Sequence, residues 1–351
     1  MSAAGGPIFI VGSNGSGSTL LRLMLDSHPN IAIPEETGFL RLAAMHRWVP
    51  YWKLGGDWYR NLGLSESDLD AALGAFYGDL FSSYASGRGK SRWGDKTPFH
   101  VWHLDLATRL FPDARVIGII RHPAGSALSM RRRFRRPIKA GITHWRRANR
   151  QLLHAGAALG DRFALVRYED LVTSPEPVMR ALLERIGEPW SATVLAHHEV
   201  QPSIESTGFT RTDRAVDTAS LTEWEQHVTG AALKRAVART GALSEFLGYD
   251  PQRGLPASPL GEPILSGTQL AARQRDLGRA IDWTPPRPRV EDRALKPPTP
   301  RKRRRKTDPS EVTLRDLLRH RLGERLPEDK RRKVHKVRRS RPLLDRLIGP
   351  R

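Results

Sequence analysis

Residues 7–21 read PIFIVGSNGSGSTLL: an apolar, β-branched run, then glycines at 12, 15 and 17 set among serines, then the start of a leucine-rich stretch. The run is too short for a helix and reads as a buried strand. The Gly/Ser cluster reads as a turn, and Thr19–Ser27 as the helix that follows it. A strand, a glycine loop and a helix in that order predict an α/β fold whose sheet is parallel and whose crossovers are right-handed. They also favour an anion. Backbone N–H groups around Gly15, Ser16 and Gly17 can point into one concavity, the helix N-terminus adds partial positive charge, and Ser16, Ser18 and Thr19 add hydroxyl donors. Gly12, Gly17 and Thr19 keep the spacing of the triphosphate loop G-x-x-x-x-G-K-[ST], but Ser18 stands where that loop has its lysine. On these residues alone, a plain Gly/Ser turn entering a helix remains open.

The same alternation continues to about residue 250. Ile8–Val11, Val116–Ile120 and Phe163–Val166 read as buried parallel strands. Glu66–Ala85, with Leu69, Leu73, Phe76 and Leu80 at helical spacing, reads as a helix, as do Ala124–Phe134 and Ile142–Leu159. The expected fold class is therefore a P-loop-like parallel sheet flanked by helices. Residues 1–251 form the expected domain and 252–309 a Pro/Arg-rich linker. Residues 310–351 form a basic, partly disordered tail whose amphipathic helix carries Val312, Leu314, Leu317, Leu318 and Leu322 on one side.

Charge follows this division. The net +21 of the 351 residues is concentrated at the end, where residues 285–351 hold 24 Lys/Arg against 9 Asp/Glu. The remainder is close to balance, so the pI does not mark the domain as a nucleic-acid binder. The runs RKRRRK (301–306), KRRK (330–333) and KVRRSR (336–341) are first of all expected to be solvated; an anionic membrane surface, non-specific nucleic-acid contact, and packing of the leucine side of the tail helix on the domain or a partner are the alternatives. The chain has no cysteine, which excludes disulfides and thiolate metal sites. No apolar run is long enough to span a bilayer, and no basic n-region precedes the first strand. The expected location is cytoplasmic, peripheral to a membrane if the tail binds one. His197 and His198, adjacent in sequence, cannot share a helix face as metal ligands and are expected to play a surface role.

Two blocks resemble a known family. STLLRLMLDSHPNIAIPEET (18–37) follows the loop, and RVIGIIRHPAGSALSMRRR (115–133) places Arg121 at a strand end with Ser129 eight residues later. Together they are similar to the sulfotransferases that use 3′-phosphoadenosine 5′-phosphosulfate (PAPS), most of all to the tyrosylprotein sulfotransferases and their bacterial relatives. Their loop reads P-R-S-G-T-T-L, followed by L-D-x-H-P and G-E-E-T. WGDKTP (93–98), VRYEDLVTSPEPVMRALLERIGEPW (166–190), VLAHHE and LGYDP extend the likeness over roughly residues 7–251.

The resemblance implies a role for each matching position. Glu36, second glutamate of the PEET segment, would be the general base that takes the acceptor's proton. Lys96 would neutralise the sulfuryl group and the leaving 5′-phosphate. Asn14, Gly15, Ser16, Gly17, Ser18 and Thr19 would cradle that phosphate, Arg121, Ser129 and Arg133 would hold the 3′-phosphate, and Tyr168 would touch the nucleotide. No metal is implied, and the acceptor is a hydroxyl of a sugar, lipid, phenol or peptide tyrosine. The sequence departs from the family at Gly15, where the loop has a basic residue; Lys96 or Arg22 is the candidate to supply its charge. That departure keeps a non-catalytic nucleotide-binding or interaction protein of the same fold as the alternative.

Overall fold

The computed structural model describes residues 5–47, 58–200, 218, 220–250 and 262–276. Its strands are β1 (Ile8–Gly12), β2 (Ile31–Ala32), β3 (Arg92–Lys96), β4 (Arg115–Ile120), β5 (Phe163–Arg167) and β6 (Leu265–Ser266). Its helices are α1 (Ser18–Asp26), α2 (Phe39–Met45), α3 (Glu66–Gly87), α4 (Leu104–Leu110), α5 (Pro123–Phe134), α6 (Ile138–Leu159), α7 (Tyr168–Thr173), α8 (Pro175–Ile186), α9 (His197–Val200), α10 (Gly230–Phe246) and α11 (Gly267–Asp276). The expected α/β parallel sheet is present, in the order β2-β3-β1-β4-β5-β6, parallel throughout except for β6.

Alternation along β1 explains why the sheet is covered on both faces. Phe9 and Val11 pack with Trp93, Val116, Leu152 and the apolar side of α3, while Ile8 and Ile10 pack with Leu21, Met24, Ile117, Ile119 and the inner side of α8. All five β1 residues are buried, as a strand between two helical layers requires. The chain leaves β3 and crosses β1 to reach β4, so strand order reverses at β1. Open α/β sheets present their ligand crevice at the carboxyl ends of strands where the order reverses. The glycine loop leaves β1 there.

Three expectations change. In α3 the buried stripe runs Leu69, Leu73, Tyr77 and Phe81, whereas Phe76 and Leu80 are exposed. Phe39 sets this face, its ring lying 4.9 Å from those of both Tyr77 and Phe81. Second, the domain does not close at residue 251. β6 pairs with β5 and α11 packs on α6, burying Leu265 and Leu270 in the core, inside the segment expected to be linker. Third, His197 is fully buried rather than at the surface, with burial pushing its imidazole down to about 4. The expected tail, 310–351, lies outside the described residues.

Candidate active site

The middle and the end of the glycine loop are set by backbone conformations that glycine adopts without strain. Gly15 has φ +81 and Gly17 φ +93. A Cβ on Gly17 would stand 2.2 Å from the ring of Tyr168, and one on Gly15 would stand 2.8 Å from the Ser126 carbonyl oxygen and 3.1 Å from Ser129 Oγ. The loop thus lies between the first residue of α7 and the inner side of α5. Its tightest turn is closed by the Ser16 amide donating to the Ser13 carbonyl at 3.2 Å. Ser13 Oγ and Ser16 Oγ are buried with no hydrogen-bond partner among the described residues. Buried hydroxyls without partners are costly, and two of them beside the N-terminus of α1 fit a loop whose oxygens and amides serve a bound anion.

Lys96 ends β3 next to this loop and is buried. Its ammonium donates to Glu36 Oε1 at 2.7 Å and to Thr19 Oγ1 at 3.4 Å. Two of its three N–H directions are therefore used, leaving one for a ligand oxygen. Glu36 itself is partly exposed, at 38 % for the side chain, so it faces both the lysine and solvent. It sits outside α2, whose N-cap is Gly38 and whose first turn carries no acidic residue, so it does not serve as a helix-dipole partner there. The segment holding it is fixed from below. The Thr37 hydroxyl donates to Asp95 Oδ2 at 2.5 Å and the Gly38 amide to Thr97 Oγ1 at 3.2 Å, while His100 Nε2 lies 3.2 Å from Asp95 Oδ1. Glu35 is exposed. Arg22 does not take up the role considered for it beside Gly15, because its guanidinium is buried under α1 and donates to the Ile33 carbonyl at 3.2 Å.

On the other side of the loop, Arg121 leaves β4. Its guanidinium lies 4.4 Å from the ring centroid of Tyr168, within 3.5 Å of the Gly15 carbonyl, and donates to the Ser220 carbonyl at 2.7 Å. The Tyr168 hydroxyl is 2.7 Å from Ser220 Oγ. Ser129, one face of α5, lies against Gly15 as described above. Arg121, Ser129, Tyr168 and the loop are therefore one cluster. Arg133 lies one turn further along α5, exposed, with its guanidinium 5.0 Å from the Phe134 ring.

Several contributors lie in the resembling blocks but are assigned no role by the sequence. Glu169 is buried behind Arg121, accepts from the His122 amide at 2.9 Å and from the Tyr249 hydroxyl at 2.7 Å, and is pushed above the usual carboxylate range by desolvation. His122 stacks on Trp224 at 4.3 Å and its Nε2 meets the Asp250 carbonyl at 3.1 Å. These contacts tie residues 220–250 to the strand end that presents Arg121, and they explain why LGYDP belongs with the site. The backbone N–H of Asn14 donates to His144 Nε2, 3.3 Å away on α6. Among the described residues no group of three or more His, Asp and Glu is placed to hold a metal ion.

Comparison with known proteins gives the family and the fold. A model of the "Sulfotransferase family" matches residues 7–192. The chain is 29% identical over 278 residues to protein-tyrosine sulfotransferase 1 of Danio rerio, covering 74% of this chain and 76% of that protein. It is 30% identical over 270 residues to the Homo sapiens protein of the same name, covering 71% of each. Among solved structures, the sulfotransferase domain of the Synechococcus PCC 7002 olefin synthase superposes with a TM-score of 0.54 at 27% identity, over 70% of this chain and 94% of that domain.

Proposed function

The chain belongs to the sulfotransferase family, and from that premise we propose that it transfers a sulfuryl group from PAPS to an acceptor hydroxyl, with Glu36 as general base. The observation that carries this reading is the buried Lys96, held between Glu36 at 2.7 Å and Thr19 at 3.4 Å at the mouth of the glycine loop. It joins, in one contact, the group that can take a proton, the group that can neutralise a transferring anion and the loop that can hold a phosphate.

When bound, PAPS supplies the sulfuryl group and a 5′-phosphate that leaves. The chain's residues supply the rest. The amides and hydroxyls from Asn14 to Thr19 would hold the 5′-phosphate, and Arg121 with Ser129 would hold the 3′-phosphate, with Arg133 at the outer end of the same helix. Tyr168, already stacked under Arg121, would present its face to the nucleotide. Lys96 stabilises charge on the oxygens around the transferred sulfur, an electrostatic contribution of the kind that commonly costs about 10²–10³ in rate when one oriented donor is removed. Glu36 faces solvent on one side, where an acceptor enters, and Lys96 on the other. It takes the acceptor's proton as the new O–S bond forms, worth roughly 10²–10⁴-fold. The acceptor to assay first is a peptide tyrosine, because the curated relatives are named for that activity; sugar, lipid and phenol hydroxyls follow.

The test is transfer from PAPS by wild type and Glu36→Gln, with folding checked by circular dichroism. The reading expects turnover by the wild type and a loss of roughly 10²–10⁴-fold in kcat in the variant. Equal rates would remove Glu36 as the base. A wild type without transfer to any hydroxyl class, though folded, would return the chain to the non-catalytic reading.

A further inference from the structure

Residues 12–19 contain no lysine or arginine, so the loop supplies no side-chain cation of its own. An aromatic nitrogen nevertheless reaches it. His144 projects from α6, which packs along α5, and its Nε2 accepts the Asn14 amide at 3.3 Å. To accept, Nε2 must be unprotonated, with the proton on Nδ1. The ring is edge-on to Trp102, centroids 6.4 Å apart, and that indole also carries the Arg147 guanidinium at 5.7 Å. Burial, with Arg147 one turn along the same helix, pushes His144 down to about 4. The other groups near it do not offset this. The loop is uncharged, Lys96 on β3 is engaged with Glu36 and Thr19, and His100 and His103, which share a turn with Trp102, pair with Asp95 and pack on Phe99.

Burial and the Arg147 guanidinium on its own helix hold His144 neutral while the loop has no anion. An anion within reach of an imidazole favours the protonated form, and the ligand of this loop carries several negative charges. We propose that His144 is a proton-coupled positioning residue of the glycine loop: neutral in the empty site, where its Nε2 accepts the Asn14 backbone amide, it takes a proton from solvent on Nε2 when the phosphate ligand binds, releases that amide to the ligand and becomes the cation that the loop lacks. This rests on the nucleotide reading above and adds to it a residue, a charge state and a pH dependence.

The test is calorimetric binding of 3′,5′-ADP to the full chain at about pH 6.5, repeated in buffers of different ionisation enthalpy, which counts protons taken up per ligand bound. Wild type is compared with His144→Gln, whose amide oxygen can accept from Asn14 but cannot take a proton. The proposal expects the wild type to take up a substantial fraction of one proton more than the variant. It also expects the affinity gap between them to widen as pH falls from 8 to 6. Identical proton counts with both proteins binding would overturn it, since a merely structural histidine moves affinity without moving the count. Should the variant fail to fold, His144→Asn and the pH dependence of wild-type affinity between pH 8 and 6 serve in its place. A wild-type affinity for 3′,5′-ADP that does not strengthen toward pH 6, relative to the same measurement with His144→Asn, overturns the proposal. Failure of the wild type to bind 3′,5′-ADP at any pH would sink the nucleotide reading itself, a distinct result.

Discussion

Lys96 and Gly15 show how single residues decide the chemistry. Lys96 was legible because its motif resembles a family's, but its partners were not, since Glu36 and Thr19 are 60 and 77 positions away and only the fold brings them to one ammonium. Lys96→Ala is expected to lower turnover by about 10²–10³ while leaving the chain folded. Rates unchanged within a factor of a few would show that its charge is not spent on the transferred group. Gly15, which in sequence looks like a lost cation, is in the structure a geometric requirement. Its φ of +81 and the Ser126 carbonyl 2.8 Å from a would-be Cβ leave no room for a side chain. Restoring a basic residue with Gly15→Arg should therefore cost roughly 1–3 kcal/mol of stability without raising the rate. A faster enzyme with an unchanged melting temperature would mean that the loop lacks nothing but charge. His144 and Ser220 could not be found from sequence, because they meet the site only through long-range contacts, one for His144 and two for Ser220, and neither sits in a motif.

Among the elements, β1, β4, β5 and the long helices were readable because apolar periodicity and burial coincide in them. β3 was not. Its residues RWGDK carry three charges yet all are buried, and each charge is met by tertiary contacts: Arg92 by the Ile186 carbonyl at 2.8 Å and Glu188 at 3.0 Å, Asp95 by Thr37 and His100, Lys96 by Glu36. Hydropathy has no way to anticipate that. The exposed Phe76 and Leu80 of α3 make the same point in reverse, since the helical period allowed two neighbouring stripes and the Phe39 ring chose between them. Behind the site, the Tyr249–Glu169–His122 chain holds the β4 end against residues 220–250. Tyr249→Phe leaves one oxygen of a fully buried carboxyl without its donor and should lower unfolding free energy by about 1–3 kcal/mol. Chemical denaturation measures this directly, and a midpoint identical to wild type would show that the hydroxyl contributes nothing.

For the whole molecule, the domain limit was the least legible feature. β6 and α11 follow a proline-rich stretch and are short, so only their pairing with β5 and packing on α6 identifies them as part of the sheet. A chain ending at residue 250 should be less stable than one ending at 295, because it loses the burial of Leu265 and Leu270, about 1.5–3 kcal/mol each. Equal thermal midpoints would contradict that. Acid stability follows from buried imidazoles. His103, His122, His144 and His197 are each pushed down to about 4, chiefly by burial, whereas unfolded they would titrate near 6.5. Between those values the unfolded chain binds more protons, so stability is present above pH 6.5 and is lost as pH falls toward 4. Glu169, raised by burial, works in the opposite sense but is one group against four. A melting temperature flat from pH 7 to 4.5 would refute this account of the core. The central claim, that this sheet end grips a nucleotide phosphorylated at both 3′ and 5′ positions, is met most directly by comparing calorimetric affinities for 3′,5′-ADP and 5′-ADP. Charge-assisted bonds from Arg121 and Ser129 to the 3′-phosphate predict a preference of at least about tenfold for 3′,5′-ADP. Equal affinities would contradict the assignment of that cluster, and with it the reading of the chain as a PAPS-dependent enzyme.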